Sequence, residues 1–162
     1  MLSYTPPLRD FQFVIEEVLD LPARWAAMPA FAEVDTDISR AVLEEAGRFA
    51  AGVLAPLNAS GDLEGCTLDN GEVRTPAGYP GAYQAFVDGG WGALACDPAD
   101  GGQGLPEALN VALNEMMAAA NHGWVMYPGC SMVPTHASRR TPARNSGSAI
   151  CRGWQAANGW PP

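Results

Sequence analysis

The side chains that could carry out chemistry are few in this 162-residue sequence, and they are widely spaced. Its four cysteines form no CxxC pair, so the sequence supports neither a zinc site nor a thiol-redox motif, and reduced thiols are expected. Glu115 stands alone on a predicted helix, where a glutamate is far more often a solvated or capping charge. These side chains therefore predict no metal ligand.

A glycine-rich loop at residues 101–104 is the next candidate for a binding function. The loop lacks the GxGxxG spacing and follows no clear strand, so a dinucleotide-binding fingerprint is not supported. Its glycines allow a tight turn before a helix that begins at Pro106. On the residues alone, the loop is interpreted as a turn.

Charge divides the chain sharply. All 18 acidic residues lie at or before Glu115, and four of the nine basic residues follow Gly129. Residues 1–129 carry five basic residues and hence a formal charge of −13, whereas residues 130–162 carry +4. The acidic part argues against nucleic-acid binding, which needs a basic face to neutralise phosphates. The basic part is either a tail that binds an acidic partner or a segment that was never selected to fold.

Apolar residues at helical spacing predict four helices in the first 129 residues. The first helix covers residues 10–19 and ends before Pro22. Cap residues 35–37 begin a long second helix, which Pro56 is expected to kink or to end. Residues 58–78 are expected to form a loop. The third helix begins at Pro80 and the fourth at Pro106.

The predicted inward faces follow from steps of three and four residues. In the second helix they are Ile38, Val42, Ala46, Phe49, Val53 and Leu57. In the fourth helix they are Leu109, Ala112, Leu113, Met116, Ala119 and Ala120. No segment alternates convincingly as a strand, so the fold is predicted to be all-α, a small helical bundle. No transmembrane helix and no signal peptide are expected, and the location is predicted to be cytoplasmic.

Four segments carry a resemblance to a known family. Trp91-Gly92-Ala93-Leu94, followed by the run from Pro98 to Pro106, resembles the N-terminal helical domain of the acyl-CoA dehydrogenases. Asn114-Glu115-Met116-Met117 stands where that family often shows a serine or asparagine and paired glutamates. The start of the chain, Pro7-Leu8-Arg9-Asp10-Phe11, is similar to the N-terminal extension of a larger subfamily of methylthio-propanoyl-CoA dehydrogenase type. The resemblance implies an extension at residues 1–32 and a helical domain at 33–129.

The resemblance also implies a function for the parent enzyme. Members oxidise an acyl-CoA thioester at its α and β carbons, with FAD as the hydride acceptor and an electron-transfer flavoprotein as the partner, and the parent is expected to be a homo-oligomer. In the family, the catalytic glutamate and most flavin contacts come from later domains. The resemblance therefore implies no catalytic residue and no cofactor-binding residue in this chain, which is expected to be inactive alone and not to bind FAD tightly.

The family's N-terminal domain supplies one wall of the acyl pocket, and residues 121–128 occupy that position here. Trp124, Met126 and Tyr127 are the candidate substrate-binding residues, since an acyl chain needs apolar, shape-setting contacts. The alternative is that they pack only against a missing β domain. His122 is interpreted as a helix-end residue near terminal carbonyls rather than a general base.

The tail at residues 130–162 is predicted to be disordered, because it is rich in glycine, proline and arginine and has no apolar period. Reverse-translated and read one base earlier, parts of it can give strings such as His-Gly-Ala-Tyr, which resemble the segment after this domain in the family. We infer a one-base frame slip near residues 129–130. The alternative is a genuine basic tail on a non-enzymatic helical interaction module that docks on an acidic partner.

Overall fold

A computed structural model describes the backbone of residues 4–140 and the side chains of residues 4–128. Helix α1 (Leu8–Gln12) continues into a π-helical segment, Phe13–Val18, which together match the first predicted helix. Asp20 then takes a left-handed conformation with φ of 47°, and α2 (Leu21–Ala26) follows. Pro22 lies in the first turn of α2, so it begins a new helix as well as following the first one.

The second predicted helix is longer in the structure than in the sequence-based prediction. Helix α3 (Thr36–Phe49), a π-helical segment (Ala50–Leu54) and α4 (Ala55–Glu64) follow one another without a break. The Asp35 carboxylate accepts a hydrogen bond from the Ile38 amide at 2.9 Å, which confirms the predicted cap. Pro56 does not end the helix, because it lies in the first turn of α4, where its missing N–H costs little.

The buried face of this long helix differs from the predicted one. Ala46 and Phe49 are buried as expected, but Leu43 and Leu54 are fully buried and Ile38 is 40% exposed. The predicted steps are mostly of four residues and so drift away from the true helical period, and the wider π turn brings Leu54 onto the face of Phe49, five residues earlier. The predicted stripe therefore lies to one side of the real one.

The loop predicted at residues 58–78 contains structure that the sequence did not predict. Its first part belongs to α4, and β1 (Thr67–Asp69) pairs antiparallel with β2 (Glu72–Arg74), with Leu68 opposite Val73. The Asn70-Gly71 turn between them has positive φ at both residues, which is the geometry that closes a two-residue hairpin. Strand alternation is undetectable in the sequence because each strand is only three residues long.

Helices α5 (Tyr79–Asp88) and α6 (Glu107–Arg140) begin where the sequence predicts. Between them lie two short 3-10 turns, Trp91–Ala93 and Pro98–Asp100. Helix α6 passes the predicted boundary at residue 129, so its backbone includes the start of the predicted tail. Residues 141–162 lie outside the described residues. The disorder predicted for residues 130–162 and the frame slip inferred near residues 129–130 stay predictions.

Side chains from three helices meet in the core. The Phe49, Phe86 and Trp124 rings, from α3, α5 and α6, have centroids 5.8 to 6.2 Å apart. Leu109, Ala112, Leu113, Met116 and Ala120 of α6 are buried as predicted, whereas Ala119 is exposed. The all-α prediction is confirmed, since the hairpin is the one small sheet in the described part. No helix there is long and apolar enough to cross a bilayer.

The N-terminal segment packs against this bundle. The Arg40 guanidinium on α3 donates to both Glu16 carboxylate oxygens, at 2.8 and 2.6 Å. A side chain at Gly47 would lie 3.1 Å from Cβ of Pro6, so glycine allows the segment to approach α3 closely. The domain boundary predicted at residue 32 stays a prediction.

Candidate functional site

The glycine-rich loop is held by hydrogen bonds to backbone carbonyls. The Gln103 side-chain amide donates to the Gly90 carbonyl at 3.1 Å, and the Gln103 and Leu105 backbone amides donate to Ala93 and Leu94. A side chain on Gly102 would collide with the backbone of Cys96. The loop therefore forms the tight turn that its glycines predict. This turn holds the segment from Trp91 to Pro106 against the start of α6.

Helix α6 is broken at Asn121, directly before the three candidate residues. Asn121 has non-helical dihedral angles, φ −158° and ψ 86°, and is 1% exposed. Its side-chain oxygen accepts from the Trp124 amide at 2.9 Å and from the Tyr79 hydroxyl at 3.4 Å. Its side-chain nitrogen donates to the Leu54 carbonyl at 3.2 Å. Asn121 thus caps the second half of α6 in the manner of a helix N-cap and joins it to two other elements.

The three candidate side chains go to three different environments. Trp124 is 1% exposed, and its indole Nε1 donates to the Tyr79 carbonyl at 3.3 Å, so it belongs to the aromatic core. Met126 is 53% exposed and faces away from that core. Tyr127 is half-buried and borders a cavity. The structure therefore does not bring the three side chains together.

The cavity has a volume of about 280 Å³ and lies between α4, the hairpin region and the second half of α6. The side chains on which its chemistry depends are Asn58, Asp62, Cys66, Tyr79, Asn121 and Tyr127. Among the described residues that line it, Asp62 is the only carboxylate and none is basic. This lining favours neutral or cationic groups and disfavours phosphates.

Tyr127 and Cys66 meet at one side of the cavity. The Tyr127 hydroxyl lies 3.2 Å from the Cys66 Sγ, and its ring packs edge-on against Tyr79 with centroids 6.0 Å apart. The hydrogen bond to Cys66, together with burial and the nearby Cys66 and Tyr79 charges, raises the pKa of Tyr127 to about 12. Tyr127 is therefore neutral at physiological pH and can act there as a hydrogen-bonding, largely apolar surface.

Tyr79 reaches the cavity because α4 carries a glycine opposite its ring. A Cβ on Gly61 would lie 2.6 Å from the Tyr79 Cε1, well inside van der Waals contact. Sequence reasoning missed Cys66 and Asp62 because the turn signals of residues 58–78 predict only a loop there, and it missed Tyr79 because this residue directly precedes the third predicted helix. A signal was present for the break itself, since Asn121 and Gly123 both have low helix propensity.

Glu115 and His122 do not line the cavity. Glu115 is exposed on the first half of α6, and its charge, after the larger effect of burial, raises the pKa of Tyr4. His122 is exposed and directly follows the break. Among the described residues, no group of three or more histidine, cysteine or acidic side chains is placed to hold a metal ion.

Comparison with known proteins gives two clear relatives, and no family model matches. The chain is 39% identical over 127 residues to the 3-methylmercaptopropionyl-CoA dehydrogenase of Ruegeria pomeroyi, covering 78% of this chain and 21% of that protein. It is 31% identical over 131 residues to a broad-specificity linear acyl-CoA dehydrogenase of Mycobacterium tuberculosis, covering 80% and 21%. The chain thus spans about a fifth of the length of these curated relatives. Over the part covered by these matches, the chain belongs to the acyl-CoA dehydrogenase family.

Proposed function

We propose that this chain is the N-terminal helical part of a FAD-dependent acyl-CoA dehydrogenase and is inactive alone. The observation that carries the proposal is the 39% identity to a dehydrogenase of which the chain spans only 21%. Neither relative's name suggests the alternative, a helical interaction module. As further parts of the proposal, the parent is cytoplasmic and homo-oligomeric and passes electrons to an electron-transfer flavoprotein.

The contribution of this chain is one wall of the acyl pocket, built by the second half of α6. Tyr127 borders a cavity without basic side chains, which suits a neutral acyl group better than the phosphates of coenzyme A. Trp124 supports this wall from the core, and the exposed Met126 is available to the substrate or to the remaining domains. In this arrangement, Tyr127 makes the most direct contact with the acyl group.

The cavity does not fit FAD. Its volume of about 280 Å³ is at the lower end for ligand sites, and no basic side chain among its described lining residues could pair with a diphosphate. When bound in the parent, the flavin would accept the β-hydride, and later domains would hold it. In this proposal, the described side chains of this chain shape the acyl side of the pocket and exclude water from it.

The proposed frame slip accounts for the charge boundary. The matches cover 127 and 131 residues, close in length to the 129-residue segment that precedes the boundary. A reading frame displaced by one base after that point would produce a basic, aperiodic tail and remove the later domains.

A chimera tests the proposed function without relying on the frame slip. Residues 1–129 of this chain would replace the matching segment of the Ruegeria enzyme, and bound flavin and acyl-CoA oxidation would be measured. We expect a flavin-loaded, active chimera, in which Tyr127→Ala raises KM for acyl-CoA with flavin content unchanged. Val111→Ala, an exposed change on the same helix, is the matched control. A folded, flavin-loaded chimera whose KM is indifferent to Tyr127→Ala contradicts the wall assignment.

A further inference from the structure

We propose that Asn121 is a positioning residue, which sets the direction of the second half of α6 and so places Tyr127 against Cys66 at the cavity. The proposal deepens the function proposed above, because it names the residue that shapes the same pocket wall. It rests on the break, the buried amide and the contacts that this amide makes.

Helix α6 does not continue regularly through Asn121. A helix that continued regularly through Asn121 would need its backbone near φ −63°, whereas the observed φ is −158°. The second half of α6 therefore starts a new helical path with unsatisfied amides at its first turn. The Asn121 oxygen accepts from one of them, the Trp124 amide, at 2.9 Å. The position of the Asn121 side chain therefore sets where the second half of α6 begins.

The Asn121 side chain is held by two other elements. Its nitrogen donates to the Leu54 carbonyl, which lies in the π-helical segment, where the regular helical hydrogen-bond pattern is interrupted. Its oxygen also accepts from the Tyr79 hydroxyl of α5. Both polar ends of this fully buried amide thus have a partner in an element other than α6. Few residues can do this, since a cap alone needs only an acceptor.

The direction of the second half of α6 is linked to the cavity through Tyr127. Trp124 and Tyr127 are three and six residues after the break, so a rotation of this segment moves both side chains together. Trp124 is held in the core, whereas Tyr127 touches Cys66 at 3.2 Å on the cavity wall. The contact between Tyr127 and Cys66 should therefore change when the direction of the second half of α6, which Asn121 sets, changes.

The test uses the full 162-residue chain, and its readout is the alkaline titration of Tyr127. The chain has four tyrosines, so the Tyr127 signal is obtained as the difference between each protein and its Tyr127→Phe derivative. The pKa of about 12 depends first on the Cys66 hydrogen bond. In Asn121→Ala we expect the Tyr127 pKa to fall toward its ordinary value of about 10. Asn121→Ser, which keeps a short capping oxygen, should retain more of the elevation.

Asn110→Ala is the matched control, because Asn110 is also a buried asparagine of α6 but lies before the break and bonds to Glu107. This variant should leave the Tyr127 titration unchanged. A folded Asn121→Ala chain with the wild-type Tyr127 pKa would overturn the proposal. Complete loss of helical circular dichroism in both Asn121 variants would also overturn it, since Asn121 would then be required for folding rather than for local direction. The outcome does not depend on enzyme activity, so it is separable from failure of the proposed function.

Discussion

Before Asn121, helix α6 presents one apolar face to the bundle, whereas after Asn121 its neighbouring side chains enter three environments. Leu109, Leu113 and Met116 follow one another at regular helical spacing and are all fully buried. Trp124, Met126 and Tyr127 are respectively buried, exposed and half-buried beside the cavity. The first half serves the core alone, while the second half both closes the core and borders the cavity. The two halves meet at the break at Asn121, whose buried amide caps the second half.

The largest expected effect comes from removing the core side of the second half. Trp124→Ala deletes a fully buried indole that packs on Phe49 and Phe86, and it should lower the free energy of unfolding by about 3–5 kcal/mol. Met126→Ala, two residues further on, should change it by less than about 0.5 kcal/mol, since Met126 is exposed. Urea unfolding of both variants measures the difference. Equal effects would mean that the second half has no distinct core side.

A smaller effect is expected at the cavity. Gly61→Ala forces Tyr79 away from α4, which should destabilise the chain by about 1–3 kcal/mol and enlarge or distort the cavity. The control is Gly52→Ala, where an added Cβ meets nothing within 4 Å. Thermal or urea unfolding of the pair compares the two helical glycines directly. If both substitutions are neutral, the close approach of Tyr79 does not contribute to stability.

An alkaline pH series examines the Tyr127 contact. Because the folded pKa of Tyr127 is raised to about 12, its contribution to stability is present below the unfolded value near 10 and is lost as pH rises from 10 to 12. Wild-type chain should therefore lose stability more steeply across that window than Tyr127→Phe, whose ring stays neutral. Parallel curves for the two proteins, measured by chemical denaturation, would contradict a raised Tyr127 pKa.

The smallest expected effect lies outside α6. The hydrogen bond from Arg40, and then its charge and that of Arg9, lower the pKa of Glu16 despite slight burial. This contribution is present above the unfolded pKa near 4.5 and is lost as pH falls through the lower folded value. Glu16→Gln should weaken the docking of the N-terminal segment slightly at neutral pH, and less so in high salt. Stability curves at pH 3 and 7 check this, and the Tyr127 titration should not respond.

The two halves of α6 also mark how far the sequence could predict the structure. Pro106 and the spacing of Leu109, Leu113 and Met116 were sufficient for the first half, because helix initiation and periodicity are local properties. The low helix propensity of Asn121 and Gly123 was a local signal for the break, but no local pattern reveals that Asn121 bonds to the Leu54 carbonyl, 67 residues away. The cavity was missed for the same reason, since Tyr79, Cys66 and Tyr127 meet only through tertiary packing. The resemblance identified the family, while the separation of Trp124, Met126 and Tyr127 required the fold.

The central claim is that this chain is the beginning of an acyl-CoA dehydrogenase, and DNA sequencing tests it most directly. The gene would be read from the codon for Trp124 to well beyond the codon for Pro162. We predict that a one-base correction near residues 129–130 opens a long frame that encodes a β domain and a further helical domain. A confirmed reading frame with nothing related after it would contradict the claim and leave a stand-alone helical protein.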